Sequence, residues 1–218
     1  MDVNIVIREI ESHMNGPVSN SLKNYGLGYK LNYGVSIPQL QSIAQQYKGN
    51  HELALQLYNR EIRECKIIAS MIADPEILTG EQIDNWAQSF TNIEIVEQVC
   101  SNLLWKSEYA LSRSIEWCLS LDELMQRAGL IIAARCARNL EIKNIVFEPY
   151  IDIIDNLDEN QVATLKSPIE FTLRQLGKRN ESFRDKVLTL AQNMVDSENE
   201  HRAWIGGQIL FELSEDEG

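Results

Sequence analysis

Residues 121–139 read LDELMQRAGLIIAARCARN. Wound into a helix, Ala128, Leu130, Ile131, Ile132, Ala133, Ala134, Cys136 and Ala137 place apolar side chains nearly all the way round. A helix of that kind is buried by neighbours on more than one side. On either side of it, apolar residues recur at the 3.6-residue period along almost the whole chain. The pattern predicts helices near 2–13, 19–25, 37–48, 51–59, 61–73, 80–90, 92–106, 108–118, 121–139, 145–155, 161–178, 180–194 and 199–213. Start signals support several of them. Ser36-Ile37-Pro38 opens one, Thr79 with Gln82 forms a capping box, and Ser167-Pro168-Ile169-Glu170 predicts a kink or fresh start inside 161–178.

Only five prolines and eleven glycines interrupt the 218 residues, of which 44% are hydrophobic. The connections are short, which favours antiparallel neighbours, and no Pro-, Gly- or Ser-rich linker divides the chain. The expectation is one domain over 1–218, all-α, built as a HEAT-like or ARM-type α-solenoid of antiparallel helix pairs.

Composition excludes several functions. Cys65, Cys100, Cys118 and Cys136 are scattered in apolar stretches without a Cys-x-x-Cys pair, so they read as reduced core thiols. His13, His51 and His201 have no metal-ligand spacing, and no phosphate-binding or dinucleotide-binding glycine loop occurs. Neither a metal nor an organic cofactor is implied. No apolar run reaches the roughly 18 residues of a membrane span, and the amphipathic, acid-bearing N-terminus is unlike a signal peptide. A cytoplasmic location, with no membrane partner, is the expectation. The net charge of −12 opposes indiscriminate phosphate binding. Its distribution is uneven, with acid in the tail (Glu212, Glu215, Asp216, Glu217) and around Asp152, Asp155, Asp158 and Glu159, and bases grouped as Arg60, Arg63, Lys66, as Arg127, Arg135, Arg138 and as Arg174, Lys178, Arg179.

Three helices carry candidate chemistry. In 161–178, Val162, Leu165, Ile169, Leu173 and Leu176 form a core stripe, and Phe171 lies opposite it with Arg174 and Lys178 beside it. That is either a base or sugar platform with phosphate-binding cations, or an aromatic covered by a further helix layer. In 92–106 the core stripe is Ile93, Val96, Cys100, Leu103 and Leu104, and Glu94 and Glu97 lie one turn apart on its edge. Paired carboxylates either share acid–base work or are merely solvated. Arg127 and Arg138 share an edge of 121–139, where a buried guanidinium needs a carboxylate or a phosphate.

Several segments, in order, resemble the DNA alkylation-repair family of HEAT-like glycosylases. They are Arg63-Glu64-Cys65-Lys66-Ile67-Ile68-Ala69-Ser70-Met71-Ile72 followed by Asp74-Pro75, then Gln98-Val99-Cys100-Ser101-Asn102-Leu103 and Gln126-Arg127-Ala128-Gly129. Leu173-Arg174-Gln175-Leu176-Gly177-Lys178-Arg179-Asn180 and Arg202-Ala203-Trp204-Ile205 complete the series. The resemblance implies a DNA-holding groove and hydrolysis of the N-glycosidic bond of cationic alkylpurines, with double-stranded DNA carrying alkylated bases as partner. The family's Trp-Asp-x-x-Asp run falls on Ile93-Glu94-Ile95-Val96-Glu97, which gives Glu97 the catalytic place and Ile93 that of the lesion-packing tryptophan. Its groove arginine falls on Arg127 and its second groove tryptophan on Phe171. The DNA-binding set is therefore Ile93, Glu94, Arg127, Phe171, Arg174 and Lys178. Glutamate for aspartate, and loss of a tryptophan ring, count against excision. The alternative is a non-catalytic scaffold that binds DNA, or a protein partner if the groove is not basic. It predicts Glu94 and Glu97 paired to arginines.

Overall fold

The structure, a computed structural model, describes residues 2–215; Asp216 and Glu217 of the acidic tail lie outside the described residues. Its contacts fall into two compact units, residues 1–108 and 109–218. Every regular element of more than one residue is helical among the described residues.

The first unit holds α1 (Val3–Ser12), α2 (Gly16–Asn24), α3 (Ile37–Gln45), α4 (His51–Tyr58), α5 (Arg63–Ile72), α6 (Gly80–Ala87) and α7 (Ile93–Asn102), with a 3-10 turn at Leu104–Lys106. Ser36 and Thr79 cap α3 and α6 through the expected capping boxes with Gln39 and Gln82. The central element is α5, which packs against α3, α4 and α7. That position buries even its polar residues, Arg63, Glu64, Lys66 and Ser70. Glu64 accepts the Tyr33 and Val35 amides at 3.1 and 3.2 Å, which fastens the extended 31–36 segment across the start of α5. Gly34 is required there. Its φ is +71°, and a Cβ would meet the Asn15 carbonyl oxygen at 2.2 Å. By contrast α2 has no buried residue.

The second unit comprises α8 (Ala110–Cys118), α9 (Glu123–Cys136), α10 (Glu148–Asp155), α11 (Glu159–Thr164), α12 (Lys166–Gly177), α13 (Glu181–Val195) and α14 (Glu200–Glu215), with a 3-10 turn at Asn144–Phe147. The pairs α8–α9 and α13–α14 are the tightest, and α12 lies among α9, α13 and α14. The nearly all-apolar 121–139 stretch is α9, buried from Gln126 to Ala134 and at Cys136.

Three sequence expectations need correction. The break in 161–178 falls at Leu165, not at Ser167: α11 ends at Thr164 and α12 begins at Lys166. Ser167 and Pro168 sit inside the first turn of α12, where a proline forfeits no helical hydrogen bond. The 92–106 helix ends at Asn102, because Leu103 leaves the helical region with φ −125° and ψ −63°. Ile93 is not core. It keeps 40% of its surface exposed, and Ile95 and Val99 join Val96 and Cys100 in the buried set.

Candidate nucleic-acid interface

In the first unit the site residues sit on the opening turns of α7. Asn92 caps the helix by accepting the Ile95 amide at 3.1 Å. Glu94 then meets Arg63 of α5 in a two-pronged pair, Nε to Oε2 at 2.7 Å and an NH2 nitrogen to Oε1 at 2.6 Å. Tyr29 donates its hydroxyl to the same carboxylate. The other prongs of Arg63 reach the Val35 carbonyl at 2.9 Å and Glu64 at 3.1 Å. Burial pushes Glu94 up, but the hydrogen bonds from Arg63 and Tyr29 and the guanidinium charge outweigh it, leaving its carboxyl below the ordinary value. Burial opposes the charge on Arg63, yet Glu94 and Glu64 hold it firmly protonated. Glu94 is thus an ionised structural clasp that joins α5, α7 and the 29–35 segment. Glu97, one turn on, is exposed, as is Ile93. Ser70 and Asn102 also join α5 to α7, at 3.0 Å.

The second unit gathers a different set on α9 and α12. The Val162, Leu165, Ile169, Leu173 and Leu176 stripe is wholly buried, and Phe171 is half-buried away from it. Two guanidiniums lie over its ring, Arg174 at 5.6 Å and Arg135 at 5.8 Å from the centroid. Arg174 is held by two carboxylates, Glu212 of α14 at 3.0 Å and Glu170 at 3.3 Å. The second is a charge contact, since Nε has no aligned acceptor. Glu170 is raised by burial and by Glu212, with Arg174 pulling the other way.

Arg135 differs. Its Nε is buried without a hydrogen-bond partner, and neither it nor Arg138 pairs with a carboxylate among the described residues. Burial first, and the Arg138 charge second, lower its pKa. An arginine beside another arginine, with no carboxylate partner, leaves positive charge uncompensated at this place. Lys178 is exposed at the end of the same α12 face.

Arg127 is placed otherwise than a groove cation. It is 5% exposed, and its guanidinium donates to the Thr164 carbonyl at 2.7 Å, satisfying the C-terminus of α11 where the chain breaks. Arg135 is the residue that sequence reasoning left out of the site. A signal existed: the positions three and four residues away, Ile131, Ile132, Arg138 and Asn139, offer it no acid. A cleft of about 630 Å³ elsewhere in this unit, lined by Glu148, Asp152, Asp155, Asp185 and Lys186, contains none of these residues and is too acidic for phosphate.

No helix among the described residues is long and apolar enough to cross a membrane. No curated protein matches the chain. One solved structure does, that of "a new family of proteins related to the HEAT-like repeat DNA glycosylases with affinity for branched DNA structures". It is 23% identical, covers 88% of this chain and 83% of its own, and superposes with a TM-score of 0.74, which establishes the all-α, HEAT-like fold. The family profile described as DNA alkylation repair enzyme matches residues 6–198. With nearly its whole length inside that profile, the chain belongs to the DNA alkylation repair enzyme family.

Proposed function

We propose that this protein is a DNA-binding repair protein that grips the phosphate backbone through Arg135, Arg138 and Lys178, with Phe171 as an apolar platform and the carboxylate-held Arg174 over its ring. The observation that carries the reading is Arg135, a half-buried guanidinium on an aromatic ring with no carboxylate partner. Phosphate supplies the missing charge. The partner is double-stranded DNA, including DNA with alkylated bases, and no cofactor is involved. Four free thiols fit the reducing cytoplasm. The test is fluorescence anisotropy with a labelled duplex. The double variant Arg135→Ala/Arg138→Ala weakens binding by about tenfold irrespective of sequence. Unchanged affinity would sink the reading.

Excision is the second reading, favoured by one placement: Glu97, which the family resemblance gives the catalytic place, is exposed on α7. A cationic alkylpurine is already a good leaving group. A carboxylate beside the sugar then needs only to stabilise an oxocarbenium-like centre and place water. Ile93 offers no ring face to that cation, so a low rate is expected. Release of 7-methylguanine and 3-methyladenine from methylated duplex, lost in Glu97→Gln, supports it. Release no faster than the spontaneous rate leaves only the binding function.

A further inference from the structure

We propose that Trp204 and Lys166 form a second nucleic-acid subsite on the second unit, which stacks an unpaired nucleobase on the indole and holds its neighbouring phosphate with the ammonium. The proposal rests on the DNA-binding reading above and adds a preference for unpaired over fully paired DNA.

Trp204 lies on α14 and keeps 44% of its surface exposed, whereas Trp86 and Trp117 are core residues at 3% and 4%. A large aromatic left open on a regular helix is not explained by packing. Lys166, at the start of α12, places Nζ 4.1 Å from the ring centroid. No carboxylate meets Lys166 among the described residues. With the ammonium over one face of a partly exposed indole, the rest of the ring suits a base and the cation suits its phosphate. A purely apolar protein patch would cover the ring and leave the ammonium unneutralised.

The backbone beside the indole is cleared as well. Gly207 and Phe211 follow Trp204 by three and seven residues, on the same face of α14, and Phe211 is 59% exposed. Adjacent Gly206 has an internal reason to lack a side chain, since a Cβ there would meet the Ala191 carbonyl oxygen at 2.4 Å. At Gly207 a Cβ would meet nothing within 4 Å. Internal packing therefore does not require Gly207. Its effect is to leave the helix surface between Trp204 and Phe211 uncovered by a side chain at that position.

The subsite is continuous with the cation cluster. Lys166–Trp204 and Arg174–Glu212 are two rungs between the same helices, eight residues apart on each. At 1.5 Å per residue they lie about 12 Å from one another. Arg174 is also the residue that lies over Phe171.

The experiment is anisotropy with three labelled probes, an oligothymidine, a four-way junction and a blunt duplex, on the full chain. Trp204→Ala is expected to weaken oligothymidine and junction binding by at least about fivefold and to leave blunt-duplex affinity unchanged. Trp204→Phe retains most of the affinity. Lys166→Ala lowers oligothymidine binding and reduces the salt slope by about one. No loss for Trp204→Ala on oligothymidine overturns the proposal, as does equal loss on all three probes. So does a self-associated wild type that Trp204→Ala renders monomeric. If wild type binds no probe at all, the DNA-binding reading falls with it. If Arg135→Ala weakens the duplex while Trp204→Ala changes nothing, only this subsite falls.

Discussion

Glu94 and Glu97 are separated by one turn of α7, and their surroundings assign them different work. Glu94 closes a buried pair with Arg63, whose side chain is 4% exposed. Removing its charge leaves the buried guanidinium with Glu64 as its remaining carboxylate, so Glu94→Gln is expected to cost the first unit about 2 kcal/mol at neutral pH. Glu97→Gln, on an exposed side chain, is expected to cost less than about 0.5 kcal/mol. Because the folded pKa of Glu94 is depressed, its contribution is present above the unfolded carboxylate value of about 4.3. It is lost as pH falls through the folded value. Urea unfolding of wild type and Glu94→Gln at neutral and acid pH checks both statements. The stability gap should be full at neutral pH and close with acid. A gap that widens in acid would reverse the assignment. Periodicity placed the two carboxylates one turn apart, but Arg63 lies 31 residues away in sequence. That partnership depends on α5 meeting α7, which no local pattern encodes. Phe171 was legible for the opposite reason, since its place follows from a stripe on its own helix.

At the scale of elements, two glycines next to each other on α14 make opposite demands. Gly206 is where α14 crosses α13 against the Ala191 carbonyl oxygen, and Gly129 plays the same part where α9 crosses α8, with the Ser114 carbonyl oxygen 2.6 Å from a built Cβ. Gly206→Ala is expected to force the α13–α14 pair apart and destabilise it by about 2 kcal/mol. Gly207→Ala meets open space and gains about 0.8 kcal/mol of helix propensity. Thermal unfolding of the two variants should therefore move in opposite directions; a shared direction would contradict the packing described. Helix positions were readable from apolar spacing and caps, as at Ser36 and Thr79. The α11–α12 break was displaced because the sequence signal at Ser167-Pro168 competes with a tertiary one. Arg127 reaches across from α9 to donate to the Thr164 carbonyl, and the chain turns there instead.

For the whole molecule, the charge of −12 and a cationic cluster of a few side chains set the character of any DNA complex. Few phosphates are neutralised, so log K against log salt should fall with a slope of only about −2 to −4. A slope near −8 or steeper would require a basic surface much larger than this cluster. The all-helical class was legible because the 3.6-residue period persists along the chain, whereas the division of contacts at residues 108 and 109 leaves no linker composition to betray it. The four cysteines carry one more consequence. All are free and buried, two in each unit. Burial pushes the thiols of Cys65, Cys118 and Cys136 up to about 12, and that of Cys100 also upward. At neutral pH almost no thiolate exists, and thiolate is the form that electrophiles attack. A cell whose DNA is being methylated also holds free methylating agent, which consumes reactive sulfur wherever it finds it. The four buried cysteines offer it no thiolate, so these thiols stay unmodified under the chemistry that methylates DNA.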